Sequence, residues 1–279
     1  MALVFDAMAE PYCATDRMTN PFSFGSETIV PALTSKSGTW MRKLARVFYG
    51  RKILGLVAVG SRQVTSVRLR LPVAPERMEL YRSLLPREFD LPAVPRVYFY
   101  ISEFQGTYPA KIKGGYREAA VCIRASYKGD SRTDPARGGW HVLTMPVSAA
   151  SALKGGLMTG YPKYLADIAL EVRTDDAVGT VRTEGLDVFQ MSWRSAETSV
   201  PDLDEEGVTV PVYLLADGRV NIMQNEVPEQ NSFECRTGVT TVGISAPAQW
   251  TGLLDSLEVK APGVIKMFTG RFNLTRRSR

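Results

Sequence analysis

One histidine and three cysteines stand in a chain of 279 residues, and their scarcity removes much chemistry from consideration. Cys13, Cys122 and Cys235 lie far apart, no CxxC pair occurs, and His141 is alone, so no Cys/His zinc site assembles economically. A Ser-His-Asp enzyme would rest wholly on His141, and a lone strand histidine is more often a structural hydrogen-bonding residue. Thiols so widely spaced fit reduced cysteines in a cytoplasmic protein. Long apolar runs are also missing. Stretches such as "ILGLVAVG" fall far short of the ~20 residues that a helical span requires. The opening "MALVFDAMAEPYC" places Asp6 and Glu10 where a signal peptide carries bases and then an apolar core, which argues against secretion. No block of one charge sign appears either. The net charge of +5 comes from 34 basic against 29 acidic residues, scattered along the chain, with the densest basic cluster at Arg276, Arg277 and Arg279. No basic stripe is interleaved with aromatics, so neither nucleic acid nor a membrane is the expected partner.

What is present is apolar residue in quantity, 44% of the chain, enough to bury a real core. No Pro/Ser-rich linker divides it. Residues 1–50, rich in Ser, Thr, Pro and Gly, read as an N-terminal arm or extension, with a short amphipathic helix in "SGTWMRKLARVFYG". Residues 51–279 read as one domain. "ILGLVAV" and "VTSVRLRL" predict two strands joined by a hairpin-like "GSRQ". In "SVRLRL", Val67, Leu69 and Leu71 alternate with Arg68 and Arg70, which predicts one buried face and one wet face. "APERMELYRSLL" has a helical period. "RVYFYISEF", "REAAVCIRASY" and "WHVLTMPV" predict strands around a turn-rich "GDSRTDPARGG". "SAASALKGGLMTGYPKYLAD" predicts a helix, a turn and a second short helix starting near Pro162. "ALEVR", "AVGTVRTE", "LDVFQMSW", "VTVPVYLLA", "RVNIMQNEV" and "SFECRTGVTTVGIS" predict further strands, and "PAQWTGLLDSL" a last helix. The sum is a β-dominated α+β fold, with a large curved or barrel-like antiparallel sheet and a few helices.

Two obvious motifs fail. Gly155 to Gly160 has the glycine spacing of a phosphate loop, but Tyr161 and Pro162 stand where Lys and Ser/Thr are required. "VGISAP" lacks the second glycine of a nucleophile elbow. The stretch "TGYPKYLADIALE" is more informative. Lys163 follows a proline, between Tyr161 and Tyr164, with Leu165, Ile168 and Leu170 beyond it. A lysine amine attacks a ketone only when unprotonated, and an unperturbed lysine near pKa 10.4 is almost wholly ammonium at neutral pH. Burial penalises the charged form. A desolvated lysine forms a Schiff base with a keto acid, and the iminium accepts the electrons left when carbon dioxide or an α-proton departs. Glu118, in "GGYREAAVCIRASY", is a carboxylate at the mouth of an apolar strand and a candidate acid/base partner. The plainer alternatives are a snorkelling surface lysine at 163 and a strand glutamate paired with Arg117 or Arg124. Lys154 in "SALKGGL" reads as an exposed charge near a helix end.

Together these segments resemble the acetoacetate decarboxylase superfamily. "SLLPREFDL" resembles its helix ending in a Pro-x-x-Phe turn. "VYFYISEF" with "GGYREAAV" resembles the strand pair that leads to the catalytic glutamate, and "TGYPKYLADI" the segment holding the Schiff-base lysine. "CRTGVTTVGIS" and "LLDSLEVKAPGVIKMFTGRFNL" resemble its C-terminal end. The likeness covers roughly residues 53–275. It implies that Lys163 is the Schiff-base lysine and Glu118 the acid/base group, with Tyr164, Tyr116 and Arg62 binding substrate. Arg68 and Arg70 lie in the same region as Arg62. Tyr164 stands where the decarboxylases carry a second lysine. The resemblance further implies a lyase acting on a keto acid or related carbonyl compound by decarboxylation or by aldol or dehydration chemistry. It needs no cofactor and no metal, and the protein is expected as a homo-oligomer. A small-molecule-binding protein that keeps the cavity without turnover is the alternative.

Overall fold

The structure is a computed structural model. It describes residues 56–106, 115–128, 138–157, 159–197, 213–216, 220–245 and 258–278. The predicted arm 1–50, the loop at 129–137 and the predicted helix in "PAQWTGLLDSL" lie outside the described residues. Everything described belongs to one compact unit, residues 45–279. No helix among the described residues is long and apolar enough to cross a membrane.

Among the described residues, twelve strands form one continuous sheet. The first, β1 (Leu56–Pro72), is a single strand of 17 residues. The hairpin predicted at "GSRQ" is therefore absent: Gly60 to Gln63 pair without interruption with Phe272 to Thr269. A 3-10 turn (Pro75–Arg77) and helix α1 (Met78–Ser83), which buries Tyr81, lead to the short β2 (Phe89–Asp90). Then follow β3 (Arg96–Gln105), β4 (Tyr116–Tyr127) and β5 (Gly138–Val147), as their β-branched and aromatic content predicts. After helix α2 (Ala150–Leu157) come β6 (Lys163–Leu165), β7 (Asp167–Val172), β8 (Asp176–Thr183) and β9 (Leu186–Ser195). The last three are β10 (Tyr213–Ala216), β11 (Val220–Ile244) and β12 (Glu258–Ser278). The two strands predicted from "RVNIMQNEV" and "SFECRTGVTTVGIS" are one strand, β11. Its register against β12 shifts between Glu226 and Glu229, around Pro228, where a residue without an N–H cannot donate to the ladder.

Pairing runs β10–β5–β4–β3–β1–β12–β11, and β10 also pairs with β11, so the ring of seven strands closes. Closure has a direct consequence for β1. Its odd-numbered side chains, Val67 and Leu69, are buried as expected. The other face is not wet. Arg68 is only 7% exposed, because that face lines the inside of the ring. β7, β8 and β9 form an antiparallel meander attached to β11 through β9. Their turn at Glu184 and Gly185 has φ of 53° and 80°, the two left-handed residues of a tight hairpin loop. The main core lies between the meander and the outer face of the ring. There Val67, Leu69, Phe99, Ile101, Val121 and Ile123 meet Ile168, Val181, Phe189, Met191 and Trp193. Phe99 stacks on Phe189 at 6.0 Å.

The inside of the ring is built in rows, because antiparallel partners point to the same side. Tyr116, Phe104, Val64, Phe268 and Phe233 make one row. Glu118, Ser102, Ser66, Lys266 and Cys235 make the next. Ala120, Tyr100 and Arg68 follow, then Cys122, Tyr98 and Arg70.

Candidate active site

Lys163 is not in a helix. It opens β6, which lies parallel to β5, with Met145 opposite Lys163. The chain leaves α2 through Thr159 and Gly160, and the Met145 N–H donates to the Pro162 carbonyl at 3.1 Å. Proline fits the entry to a short strand, and the flanking tyrosines favour extended backbone, so helix propensity loses to sheet pairing. A β6 strand of three residues sends neighbours to opposite faces. Lys163 therefore points into the ring and Tyr164 into the main core.

The lysine side chain is 9% exposed, and its Nζ donates to Glu118 Oε2 at 2.5 Å, with the glutamate side chain 8% exposed. Neither plainer alternative holds. Lys163 does not snorkel, and among the described residues Glu118 pairs with Lys163 and Tyr100 rather than with an arginine: Arg117 bonds Glu103 at 3.1 Å, and Arg124 lies over the Trp140 ring at 5.4 Å. The other carboxylate oxygen, Oε1, accepts a hydrogen bond from the Tyr100 hydroxyl at 2.8 Å. The Tyr213 hydroxyl reaches the Tyr100 oxygen at 3.5 Å. The ammonium also lies 5.4 Å from the centre of the Tyr161 ring and 5.8 Å from that of Tyr116, within the range of cation–π attraction. Tyr213 and Tyr161 pack edge to face at 5.7 Å, so aromatic rings wall the amine on one side.

Burial and the negative carboxylate shape the neighbours. Burial raises the Tyr100 phenol well above its ordinary pKa, and the charge of Glu118 raises it further. The same two causes, in the same order, hold the Cys122 thiol protonated. Tyr213 is raised by burial first, then by Tyr98 and Cys122.

Gly156 is part of this site. A Cβ at that position would stand 2.6 Å from Cε and 2.8 Å from Cγ of Lys163, and would overlap Cδ. The lysine stem crosses α2 where the helix has no side chain. Gly156 thus makes room for the lysine stem. Lys154 is exposed near the end of the same helix.

Of the other sequence candidates, Tyr116 borders the amine. Tyr164 does not reach it: the ring is buried and borders a small cavity on the core side with Val181, Val188, Phe189 and Ile244. Its phenol is raised by burial, against a lowering effect of the Thr144 and Thr183 hydroxyls. Arg62 on β1 pairs with Gly270 of β12, and its side chain lies outside the described part. Arg68 is 7% exposed on the site's face. Its Nε donates to Ser66 Oγ at 3.0 Å, and Ser66 and Ser102 share a hydrogen bond of 2.7 Å. Ser102 lies directly opposite Glu118. Arg70, two residues further along β1 on the same face, is half-buried and stacks between Tyr98 at 5.4 Å and Trp140 at 5.5 Å. Sequence reasoning missed Tyr100, Ser66, Ser102 and Gly156. The period-2 alternation of "VYFYISEF" puts Tyr98, Tyr100 and Ser102 on one face, a signal that a closed ring turns inward. His141 is buried against Phe89 at 5.4 Å, a packing role.

The sequence profile of the acetoacetate decarboxylase (ADC) family matches residues 76–251, a span that contains Glu118, α2 and Lys163. The chain belongs to that family. A comparison with curated proteins finds no match. Solved structures with this fold include the enduracididine biosynthesis enzyme MppR complexed with pyruvate. It has 15% identity and a TM-score of 0.57, and the match covers 79% of this chain and 89% of that one. The acetoacetate decarboxylase of Legionella pneumophila has 15% identity and a TM-score of 0.55, over 79% and 88% of the two chains. An acetoacetate decarboxylase-like enzyme from Sphingomonas wittichii has 14% identity and a TM-score of 0.54, over 82% and 98%. At such identity these likenesses speak for the fold of this ADC-family chain. The family profile adds the chemical class, that of lyases acting on small carbonyl compounds.

Proposed function

We propose that this ADC-family chain is a Schiff-base lysine lyase acting on a small keto acid. The observation that carries the reading is the buried Lys163–Glu118 pair, 2.5 Å apart and facing the inside of a closed ring. Glu118 takes a proton from the ammonium. The freed amine adds to the substrate carbonyl, and the resulting carbinolamine loses water to give an iminium. If the substrate is a β-keto acid, the bond to its carboxylate then breaks, carbon dioxide leaves, and the freed electron pair forms a carbon–carbon double bond while the C=N π pair moves onto nitrogen, giving an enamine. If it is an α-keto acid with a methyl group, Glu118 takes an α-proton and gives the enamine that an aldehyde can trap. Protonation and hydrolysis then restore the lysine. Arg68 is the group proposed to hold the substrate carboxylate, since it is buried on the interior face and an arginine fork suits a carboxylate.

Borohydride tests the covalent step. Incubation with acetoacetate or pyruvate plus sodium borohydride is expected to add the reduced ketone's mass to the peptide containing Lys163. Lys163→Arg keeps the charge but forms no imine at neutral pH, so it is expected to give no adduct and no turnover. A wild-type adduct on Lys154, or full activity in Lys163→Arg, would sink the reading. Carbon dioxide release from acetoacetate against condensation of pyruvate with an added aldehyde separates the two outcomes of the enamine. The second outcome has a parallel in MppR, which is complexed with the condensation product of pyruvate and imidazole 4-carboxaldehyde.

A further inference from the structure

We infer that Tyr100 is a positioning residue that divides the labour of the two Glu118 oxygens, an inference that rests on the Schiff-base reading. A carboxylate on a flexible side chain presents either oxygen to its neighbours. Here Oε1 is occupied by the Tyr100 hydroxyl at 2.8 Å, and Oε2 faces Lys163 Nζ at 2.5 Å. The tyrosine has one proton to donate and gives it to Glu118, and its own oxygen is approached by the Tyr213 hydroxyl at 3.5 Å. The phenol is itself fixed. It is 3% exposed and packs against Tyr98 at 5.3 Å between ring centres. It also stands one row below Glu118 on the adjacent strand, so the bond follows from the register of β3 and β4, with Ala120 opposite Tyr100. Burial and the carboxylate charge both keep this phenol protonated, so it stays a donor throughout the cycle.

The consequence concerns one step. After the iminium forms, the α-carbon must lose a proton to a base held at one place. Oε2 takes that proton, the C–H electron pair becomes the new carbon–carbon double bond while the C=N π pair moves onto nitrogen, and the carboxyl group later returns a proton to carbon. Without Tyr100, Glu118 can rotate, and Oε2 spends less time aimed at the bound carbon. Imine formation on Lys163 is much less sensitive, because the pair itself remains in contact.

The test separates these two steps. The probe is pyruvate in deuterated water. Exchange of its methyl protons is followed by NMR, and imine formation is followed in parallel by borohydride trapping. Tyr100→Phe is expected to give wild-type extents of Lys163 adduct while methyl exchange slows by about 10- to 100-fold, the range for losing a hydrogen bond to a charged group. Its effect is expected in kcat for exchange rather than in KM. The pairing is checked by a cycle. Glu118→Gln slows exchange by itself, and adding Tyr100→Phe to it is expected to change the rate less than twofold, since the group being positioned is gone. Wild-type exchange in Tyr100→Phe overturns the proposal. So does a Tyr100→Phe penalty that is the same size in the Glu118→Gln background, or a Tyr100→Phe variant that loses adduct and exchange together. Absence of any wild-type adduct instead fails the Schiff-base reading, a different result in a different lane.

Discussion

Lys163 and Glu118 are two ions removed from water, and their stability has a cost that the fold must meet. Each is less than a tenth exposed. Burying an isolated ion costs several kcal/mol, and mutual attraction offsets it only when geometry and further hydrogen bonds are good. The pair has both, since Glu118 also accepts from Tyr100 and the ammonium faces two aromatic rings. Removing one member leaves the other stranded. Lys163→Met is expected to destabilise the protein by about 3–5 kcal/mol, and so is Glu118→Leu. The double variant Lys163→Met/Glu118→Leu is expected to lose less than the sum of the two and to be no worse than the weaker single variant. Urea unfolding of the four proteins measures this. Additive losses would mean that the two side chains are independent, and that their 2.5 Å contact carries no energy.

At the scale of elements, the site depends on how three short pieces meet: the end of α2, the strand β6 and the mouth of β4. Gly156 lets the lysine stem cross the helix. Gly156→Val is expected to push that stem aside and abolish borohydride trapping. Gly155→Ala, at a neighbouring glycine where an added Cβ meets nothing within 4 Å, is expected to leave trapping at the wild-type extent. Equal trapping in both variants would dissociate the helix from the site. β6 makes a second test possible, because Tyr164 faces the core rather than the amine. Tyr164→Phe is expected to change stability by about 1 kcal/mol, as for a buried hydroxyl with weak partners, while leaving the trapping rate unchanged. A large rate loss with unchanged stability would return Tyr164 to the substrate. These elements also show what sequence could reveal. β3, β4 and β5 were legible from their β-branched and aromatic runs. Lys163 and Glu118 were legible as an odd lysine after proline and a glutamate entering an apolar strand. β6 was not, because a segment with Tyr161 and Tyr164 around a proline can open a helix or a strand, and only pairing with β5 decides. The split of β1 at "GSRQ" was misleading for the same reason: glycine and polar residues mark turns, but Gly60 to Gln63 are held straight by pairing with Phe272 to Thr269 of β12. Arg68 looked wet because local alternation says which face is polar, and only closure of the ring says which face is inside.

The whole molecule carries an electrostatic signature of that closure. Tyr100 and Tyr213 inside the ring have phenols raised by burial, as does Tyr164 in the core beside it, and the Cys122 thiol is raised by burial and then by Glu118. In the unfolded chain a thiol ionises near pH 8.5 and a phenol near pH 10. Below those values both states hold the protons, and stability does not depend on these groups. As pH rises past them the unfolded chain releases protons that the folded protein keeps. The unfolded state then binds fewer protons, so the slope of unfolding free energy with pH is negative. Stability is fully present at lower pH and is lost as pH rises towards the folded pKa values, at about 1.4 kcal/mol per pH unit for each group engaged. Cys122 begins first, above about pH 8.5, and the tyrosines join above about pH 10. Chemical unfolding from pH 7 to 11 is therefore expected to show a shallow decline that steepens. Cys122→Ala is expected to remove the early part of that decline, and Tyr213→Phe to make the later part shallower, each relative to wild type at the same pH. A wild-type curve that stays flat to pH 11, or variants that run parallel to it throughout, would mean that these groups reach solvent in the folded protein. The ring would then be open where the strand pairings close it.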